Sequence, residues 1–572
     1  MKLPHKKMLV LVCLAFCEMD SYAAPTPQLQ NSLQGLSNYY DAGRVVQQVQ
    51  QSLPKPPKAP LKSSISKKIT EENPNVAKIQ FKFNKIVISG NTVFSAQTLQ
   101  KIFQPKLGKM ITLAELQAMV HAVTAKYRDS GYILSRAILP PQTIREGVVQ
   151  VQIVEGFVSD VTVTGDPGRA RRLLEGYGKH IQASKPLNID KLERYALLAN
   201  DLPGFNIQSV LTPSKTTPAG ADLNLLAKRK IGSAFFSYDN YGTRYIGPQE
   251  VSFGGSLYSL FAPGDSNTVR FSVTSRPHEL RYVDVSHAQP IGTDGLHWQL
   301  GSNYAETRPD FILAPIQIVG HNTLIYTDFS YPIIRDRSKN FTVHSGFNYQ
   351  NVNSTILGTP FYQDRIRSLV VGATFDSIDS WRGITSMGLD VVHGFDIMGA
   401  HDHQNQSRSL GRSIYTRINP SISRLQALTS RFSLYGALRG QYTRTVLLAT
   451  EQYGVGGPDI GRGYDPSEIV GDNGVSGKLE LRVDTAPDWK LLNAVQYYAF
   501  YDAGVIWNID YVSLPAKQSL TSLGIGARFT FIPQVTGNLF LAKPLTQPVA
   551  VLAALNDNIH MARIFFQVTA TL

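Results

Sequence analysis

The sequence predicts an all-β transmembrane barrel of about 16 antiparallel strands, preceded by two α+β domains and an amino-terminal helix. Three observations indicate this fold: an export signal at the amino terminus, alternating apolar and polar segments throughout residues 231–572, and short turns that alternate with long loops between those segments. A strand crosses a membrane with only about 9 to 11 residues, so the barrel needs no long apolar stretch.

Residues 1–23 have the three parts of a secretory signal peptide. Lysines precede the apolar run 8–16, and a small-residue site ends at Ala23, after which we expect cleavage. Both cysteines, Cys13 and Cys17, lie inside this segment. The exported chain is therefore expected to depend on packing and strand hydrogen bonds rather than on disulfides.

Residues 24–53 predict one amphipathic helix, weakened or interrupted at Gly43, and residues 54–78 predict a flexible linker. Six apolar side chains in the first segment are spaced as one helical face: Leu29, Leu33, Leu36, Tyr40, Val45 and Val49. Proline and charged residues in the second segment exclude a packed core.

From residue 79 the pattern changes to a strand, two helices and two further strands, ending near residue 156. The turn 89–91 ends the first strand, and Ser95 or Thr92 can cap a short helix. Thr112 and Glu115 have the spacing of a capping box that opens the second helix. Two alternating segments then complete an α+β unit.

Residues 231–572 contain about sixteen alternating segments, and an even number returns the chain to its side of entry. Residues 307–321, 395–410 and 443–474 form long connections, which we assign to the cell exterior. The last strand alternates up to Leu572, as in outer-membrane proteins folded by the barrel-assembly machinery. Aromatic residues at strand ends fit an interfacial girdle: Tyr238, Tyr241 and Tyr245.

The chain carries 56 lysine and arginine residues against 43 acidic residues, a formal net charge of +13. The charge is dispersed and no nucleic-acid-binding signature is found, so we expect no nucleic-acid partner. An anionic membrane surface is the partner class that this charge favours. No spacing matches a metal site, a catalytic triad or a phosphate loop, so we predict no metal, no cofactor and no enzymatic activity.

The sequence resembles the two-partner secretion transporters of Gram-negative bacteria, the haemolysin-secretion and filamentous-haemagglutinin transporter family of the Omp85 superfamily. Residues 79–156 resemble the first POTRA domain of that family, and residues 157–230 resemble a second one. The matching positions in the first domain are Gly90, Asn91, Thr92, Tyr127, Gly131, Tyr132, Ala137, Pro140, Pro141, Gln142, Gly147, Val154, Glu155 and Gly156.

The resemblance also assigns a role to the stretch IGRGYD, which lies in the loop after the eleventh strand. It implies that Gly461, Arg462, Gly463 and Tyr464 form a loop motif that folds into the barrel lumen. It further implies that Arg462 meets an aspartate in the wall motif Phe500, Asp502 and Gly504, on the thirteenth strand. The chemistry suits this role, since glycines allow a close backbone approach and a guanidinium binds a carboxylate through two parallel hydrogen bonds.

The resemblance implies an outer-membrane pore with periplasmic POTRA domains that recognise an unfolded exoprotein and export it without ATP. The helix 24–53 would plug the resting pore, and edge strands within residues 79–230 would bind the client. Expected partners are the exoprotein, outer-membrane lipid and lipopolysaccharide, and the barrel-assembly machinery. An adhesin, a haemolysin, a contact-dependent toxin and a haem-scavenging protein all remain open as clients. The alternative is an assembly factor of the same superfamily, which typically carries more POTRA domains and lacks the plug and linker.

Overall fold

The computed structural model of this protein describes residues 41–52, 79–403, 405–487, 489, 491–510, 515–546 and 561–572. The predicted signal peptide, the linker 54–78 and the first part of the predicted plug helix lie outside the described residues. Within them, no helix is both long enough and apolar enough to cross a membrane.

The amino-terminal helix α1 (Ala42–Ser52) lies inside the barrel. Its buried face includes Val45 and Val49, as the sequence predicts, and also Val46. Gly43 is a helical residue in the first turn, so it does not interrupt the described helix. A Cβ at that position would lie 2.5 Å from Oγ1 of Thr450, so the glycine permits close packing instead.

The first α+β domain follows the predicted order, with two additional short strands. Its elements are β1 (Gln80–Lys82), β2 (Lys85–Ser89), α2 (Ala96–Gln100), β3 (Met110–Thr112), α3 (Leu113–Asp129), β4 (Arg136–Ile138) and β5 (Val148–Val154). Ser95 caps α2, and Thr112 with Glu115 forms the predicted capping box of α3. The main sheet has the order β2-β5-β4. The predicted first strand is divided after Lys82, and its first part, β1, pairs with the unpredicted β3.

Glu155 explains why several of the matching positions in this domain belong together. Its carboxylate accepts hydrogen bonds from the backbone N–H groups of Thr92 and Val93, at 2.7 and 3.1 Å, and from the Tyr127 hydroxyl at 2.8 Å. One side chain therefore joins the end of the sheet to the turn after β2 and to helix α3.

The second α+β domain repeats the strand-helix-helix-strand-strand order. Its elements are β6 (Phe157–Gly165), α4 (Arg171–Gln182), α5 (Ile189–Asp201), β7 (Phe205–Pro213) and β8 (Gly220–Arg229). The sheet has the order β6-β8-β7, so β7 forms one of its edges.

The second domain contacts the periplasmic turns of the barrel through polar side chains. Arg335 of the barrel forms a bidentate pair with Asp201 of α5, with N–O distances of 2.6 and 2.7 Å. Arg194 donates to the Pro332 carbonyl oxygen at 2.8 Å. The Tyr195 hydroxyl donates to Asp294 at 2.9 Å.

Sixteen antiparallel strands close into a barrel, which confirms the predicted fold class. They are β9 (Gly232–Asp239), β10 (Glu250–Tyr258), β11 (Ser266–Thr274), β12 (Leu280–Ile291), β13 (Leu296–Thr307), β14 (Val319–Arg335), β15 (Lys339–Ile356), β16 (Thr359–Ile378), β17 (Gly383–Gly394), β18 (Thr416–Ala427), β19 (Phe432–Thr443), β22 (Asn473–Thr485), β23 (Ala494–Trp507), β24 (Lys517–Ile532), β25 (Val535–Pro544) and β26 (Arg563–Thr571). Strand β26 pairs with β9 and so removes the free edges.

Side chains alternate along each strand between an apolar outer face and a more polar lumen. On β23, Tyr501 is 48% exposed while its neighbour Asp502 is fully buried. This alternation matches a surface that faces lipid on one side. The girdle prediction is wrong for two tyrosines: Tyr241 and Tyr245 are buried, the first with Phe540 and Phe565 and the second in the cluster that contains Val45.

The external connections also depart from the predicted pattern at one point. Strands β15 and β16 have 18 and 20 residues and are joined only by a tight turn at Leu357 and Gly358. Strands of this length exceed the roughly 9 to 11 residues that cross a bilayer, so this hairpin extends beyond the membrane.

Candidate functional site in the barrel lumen

The sixth external loop, residues 444–472 and here called loop 6, folds back into the barrel. It contains the short hairpin β20 (Tyr453–Val455) and β21 (Ile469–Gly471). Its tip carries Arg462 and Tyr464, which are only 3% and 2% exposed. A charged side chain in an outward loop would be solvated, so this burial identifies the tip as part of the lumen.

Arg462 meets Asp502 through a bidentate pair. Nε and Nη2 of Arg462 lie 2.9 and 2.6 Å from the two carboxylate oxygens of Asp502. The same carboxylate accepts the backbone N–H groups of Gly461 and Arg462, at 3.1 and 3.0 Å. Four hydrogen bonds thus converge on one buried wall residue, which satisfies both charges in a low-dielectric site.

A second carboxylate, Glu480 on β22, was not predicted from the sequence. Nη1 of Arg462 donates to Glu480 at 2.6 Å, and Arg482 and Arg528 contact the same carboxylate at 2.6 and 3.1 Å. The Arg462 guanidinium also lies 3.6 Å from the centre of the Phe500 ring. The available signal was the alternation of β22, which points Glu480 to the lumen.

Close packing of loop 6 on the barrel wall requires the glycines of both motifs. Gly461 and Gly463 have φ values of +89° and +99°, which L side chains rarely adopt. A Cβ on Gly504 would lie 2.5 Å from Val455 of the loop hairpin. The wall therefore remains flat where the loop packs on it.

Tyr464 and Asp465, just after the tip, attach the returning arm of the loop, residues 463–472, to other parts of the barrel. The Tyr464 hydroxyl donates to the Thr521 carbonyl oxygen at 3.0 Å. Asp465 pairs with Arg244 and Arg563, both at 2.8 Å. The tip is thus held from three sides of the lumen.

Helix α1 contacts the entering arm of the same loop, residues 444–461. Asp41 accepts hydrogen bonds from Thr450 at 2.9 Å and from Tyr362 of the wall at 2.7 Å. Arg44 donates to the main-chain carbonyl oxygens of Ala449 and Gln452. The helix and the loop together occupy the lumen.

Comparison with known proteins identifies the family. Residues 222–529 match the model described as haemolysin secretion/activation protein ShlB/FhaC/HecB, and residues 81–156 match the POTRA domain of the ShlB type. The first match spans more than half of the 572 residues. The chain belongs to this haemolysin secretion/activation family. It is an outer-membrane transporter of the two-partner secretion type, and its POTRA domains are periplasmic.

Similar family members are transporters from several bacteria. The heme/hemopexin transporter protein HuxB of Haemophilus influenzae (strain 86-028NP) is 24% identical over 480 residues, which cover 81% of this chain and 83% of that protein. The outer membrane transporter CdiB of Dickeya dadantii (strain 3937) is 23% identical over 443 residues, 75% of this chain and 76% of that protein. The solved structure of CdiB from Escherichia coli matches with a TM-score of 0.70 and 19% identity, covering 96% of this chain and all of that one, which supports the fold.

The family is one of transporters rather than enzymes.

One cluster of possible metal-ligating side chains lies outside the lumen. Within the described ranges, a single group places three possible metal-ligand atoms within 4.8 Å of one another: His278, Glu279 and Asp310. Arg276 pairs with Glu279 and Asp310 at 3.2 and 2.7 Å. The guanidinium already occupies the position between the carboxylates, so the group is an ionic cluster of two external loops.

Proposed function

We propose that this transporter recognises an unfolded exoprotein in the periplasm through its POTRA domains and passes it through the barrel lumen without ATP. The observation that carries the proposal is the lumen itself, whose contents among the described residues are helix α1 and loop 6, packed on the wall in one hydrophobic cluster. A chain in transit must therefore replace α1, with its contacts to Thr450 and Tyr362. Folding of the client outside the cell would supply the direction.

The exposed edge of strand β7 is the observation in favour of client binding by strand addition. The side chain of Asn200 bonds both the N–H and the carbonyl oxygen of Ile207, at 2.8 Å each, on the side away from β8. In an antiparallel strand every second residue points its backbone groups to the same side. Ser209 and Leu211 therefore present their N–H and carbonyl groups along the same edge.

The remainder of that edge suits an extended peptide. Strand β7 has nine residues, and Val210 is 45% exposed beside this edge. An extended client would gain main-chain hydrogen bonds from Ser209 and Leu211 and apolar contact from Val210. Asn200 limits the addition to the part of the strand after Ile207.

Other proposed contacts follow from the location of the barrel. Its outer face meets outer-membrane lipid and lipopolysaccharide, and the barrel-assembly machinery would insert it. Helix α1 would act as the plug of the resting pore. The proposed client is a secreted protein of the adhesin, haemolysin or toxin type.

The test removes one donor from the client-binding edge. Ser209→Pro deletes an N–H that faces away from β8, so the domain's own sheet retains its ladder. We expect client release into the medium to fall at least about tenfold when the loss of the added ladder costs about 1.4 kcal/mol. Ser209→Thr is the matched control, because it keeps the N–H.

Heat-modifiable migration of both variants reports whether the barrel has folded. Normal release by Ser209→Pro, with the POTRA domains intact by limited proteolysis, would exclude this edge as the client site.

A further inference from the structure

A groove of small residues runs along the outer face of the barrel, over strands β18, β19, β22, β23 and β24. Its volume is about 750 Å³, and its surface is almost entirely apolar. Gly436, Gly477 and Ala503 form its floor, while Leu438, Leu479 and Tyr501 stand beside it. The lipid-facing surface is therefore indented here. An acyl chain in this groove makes more van der Waals contact than it would on a flat strand surface.

Two aromatic and cationic pairs lie above the groove at the external end of the strands. The Lys517 ammonium lies 5.9 Å from the ring of Trp507, its direct cross-strand neighbour. Arg444 donates to the Tyr442 hydroxyl at 3.2 Å. Tyr442 and Trp507 are 54% and 38% exposed and face outward, as residues at a membrane interface do.

The two cationic residues stand on strands at opposite sides of the groove. Arg444 follows β19 and Lys517 begins β24, with β22 and β23 between them in the sheet order. Three inter-strand spacings of about 4.8 Å amount to about 14 Å. A headgroup with a phosphate at each end can meet one cation on each side of the groove.

We propose that the groove and its cationic rim bind one molecule of lipopolysaccharide. An acyl chain of its lipid A fills the groove, and the two phosphates of the diglucosamine contact Lys517 and Arg444. Charge complementarity favours this lipid, because phosphatidylglycerol and phosphatidylethanolamine each carry a single phosphate. The proposal develops the lipid contact of the proposed function, and it concerns a surface that has no part in client recognition.

The bound lipid would lie against the strand that carries the loop anchor. Tyr501 and Ala503 line the groove from outside, and Asp502 between them binds Arg462 from inside. Filling the groove therefore supports the outer side of the same strand segment.

The test measures binding of lipid A to the full-length transporter in detergent by native mass spectrometry. Bisphosphorylated lipid A, its monophosphorylated form and phosphatidylglycerol serve as the three probes. We expect Lys517→Ala and Arg444→Ala each to weaken binding of bisphosphorylated lipid A about fivefold, the effect of one interfacial cation. Removing one phosphate from the lipid should weaken binding by a similar factor.

A third variant tests the groove without removing charge. A Cβ on Gly436 would meet only a Leu479 methyl carbon, at 3.8 Å, so Gly436→Leu can fill the groove without moving the backbone. Matched controls are Ala373→Leu on the outer face of β16 and Arg281→Ala at the external end of β12, which leave groove and rim unchanged.

Equal binding by wild type, Gly436→Leu and the two cation variants would overturn the proposal, as would equal losses in the control variants. Phosphatidylglycerol bound as tightly as bisphosphorylated lipid A would replace the proposed ligand by an ordinary anionic phospholipid. Ser209→Pro should bind lipid A normally, so failure of the client-binding proposal leaves this result unaffected. Retained heat-modifiable migration shows that each variant has folded.

Discussion

The lumen contains two elements that each bury an arginine, and they are held in different ways. The tip of loop 6 buries Arg462 against two carboxylates, Asp502 and Glu480. Helix α1 buries Arg44 against main-chain carbonyl oxygens, and its Nε has no hydrogen-bond partner among the described residues. Both elements are packed, but only the loop tip has its charge neutralised at close range.

The pKa values of the two arginines express this difference. Burial lowers the pKa of Arg44 to about 10, and the nearby charge of Asp41 restores only part of the loss. Burial also acts to lower the pKa of Arg462, but the hydrogen bonds and charge of Asp502 outweigh it, so that the pKa is raised. Since Arg44 is charged at neutral pH, its docking carries a penalty of about 3 kcal/mol relative to water. The loop tip thus resembles a permanent anchor and the helix a releasable plug.

The largest effect is expected from removing the anchor. Arg462→Ala leaves Asp502 buried without its cation, at a cost of about 3–5 kcal/mol, and client release should fall strongly. Asp502→Ala should cost less, because Arg462 keeps Glu480. Arg462→Lys should not restore export, because an ammonium cannot make the bidentate contact.

The double variant Arg462→Ala/Asp502→Ala shows whether Arg462 and Asp502 act as a pair or as two independent residues. Coupled residues should be non-additive, so its loss of release should be close to that of Arg462→Ala alone. The measurements are client in the medium and heat-modifiable migration of the barrel. Additive losses, or normal release by Arg462→Ala, would show that the pair does not anchor the loop. The contrast between an anchored loop and a releasable helix would then no longer hold.

The next largest effect is expected from a disulfide that links α1 to loop 6. It tests whether the two must separate during export. A Cβ on Gly43 would lie 2.6 Å from Cγ2 of Thr450, so Gly43→Cys with Thr450→Cys places two Cβ atoms within about 4 Å, as a disulfide requires. We expect the oxidised pair to block export to background and a reductant to restore it. Thr450→Cys alone is the control. Full export by a quantitatively cross-linked protein would mean that helix and loop move together.

The smallest effect concerns the pH dependence of the returning arm of loop 6, residues 463–472. Burial, followed by the charge of Asp465, raises the pKa of Glu468 to about 8, although Arg244 and Arg563 oppose the shift. A neutral carboxyl group with a raised pKa favours the folded state. This contribution is fully present below the ordinary pKa of glutamate, falls progressively above it, and is fully lost once the pH has risen through about 8. From pH 7 to 9 the loss is about 1 kcal/mol.

Planar-bilayer recordings should therefore show a rising open fraction between pH 7 and 9, and Glu468→Gln should abolish the rise. A flat profile in the wild-type protein would show that this arm does not limit opening.

Most of the strand order was predictable because lipid imposes a local rule. Most lipid-facing positions on a strand are apolar, so alternation in residues 231–572 predicts both the strands and the orientation of Asp502. The rule fails where tertiary contacts replace lipid. Tyr241 and Tyr245 have the composition of a girdle, but the neighbouring strands and α1 enclose them inside the lumen.

By itself, the sequence determined the sixteen strands, the α+β order of residues 79–156 and the order of the two lumenal motifs along the chain. These properties depend on local periodicity, capping and turn residues, which act over a few residues. Only the tertiary structure decided that Glu480 joins Arg462, that Gly43 packs on Thr450 and that Asn200 covers part of the β7 edge. These contacts depend on barrel closure and on loop and helix placement, and each joins side chains whose separation in space no local pattern specifies.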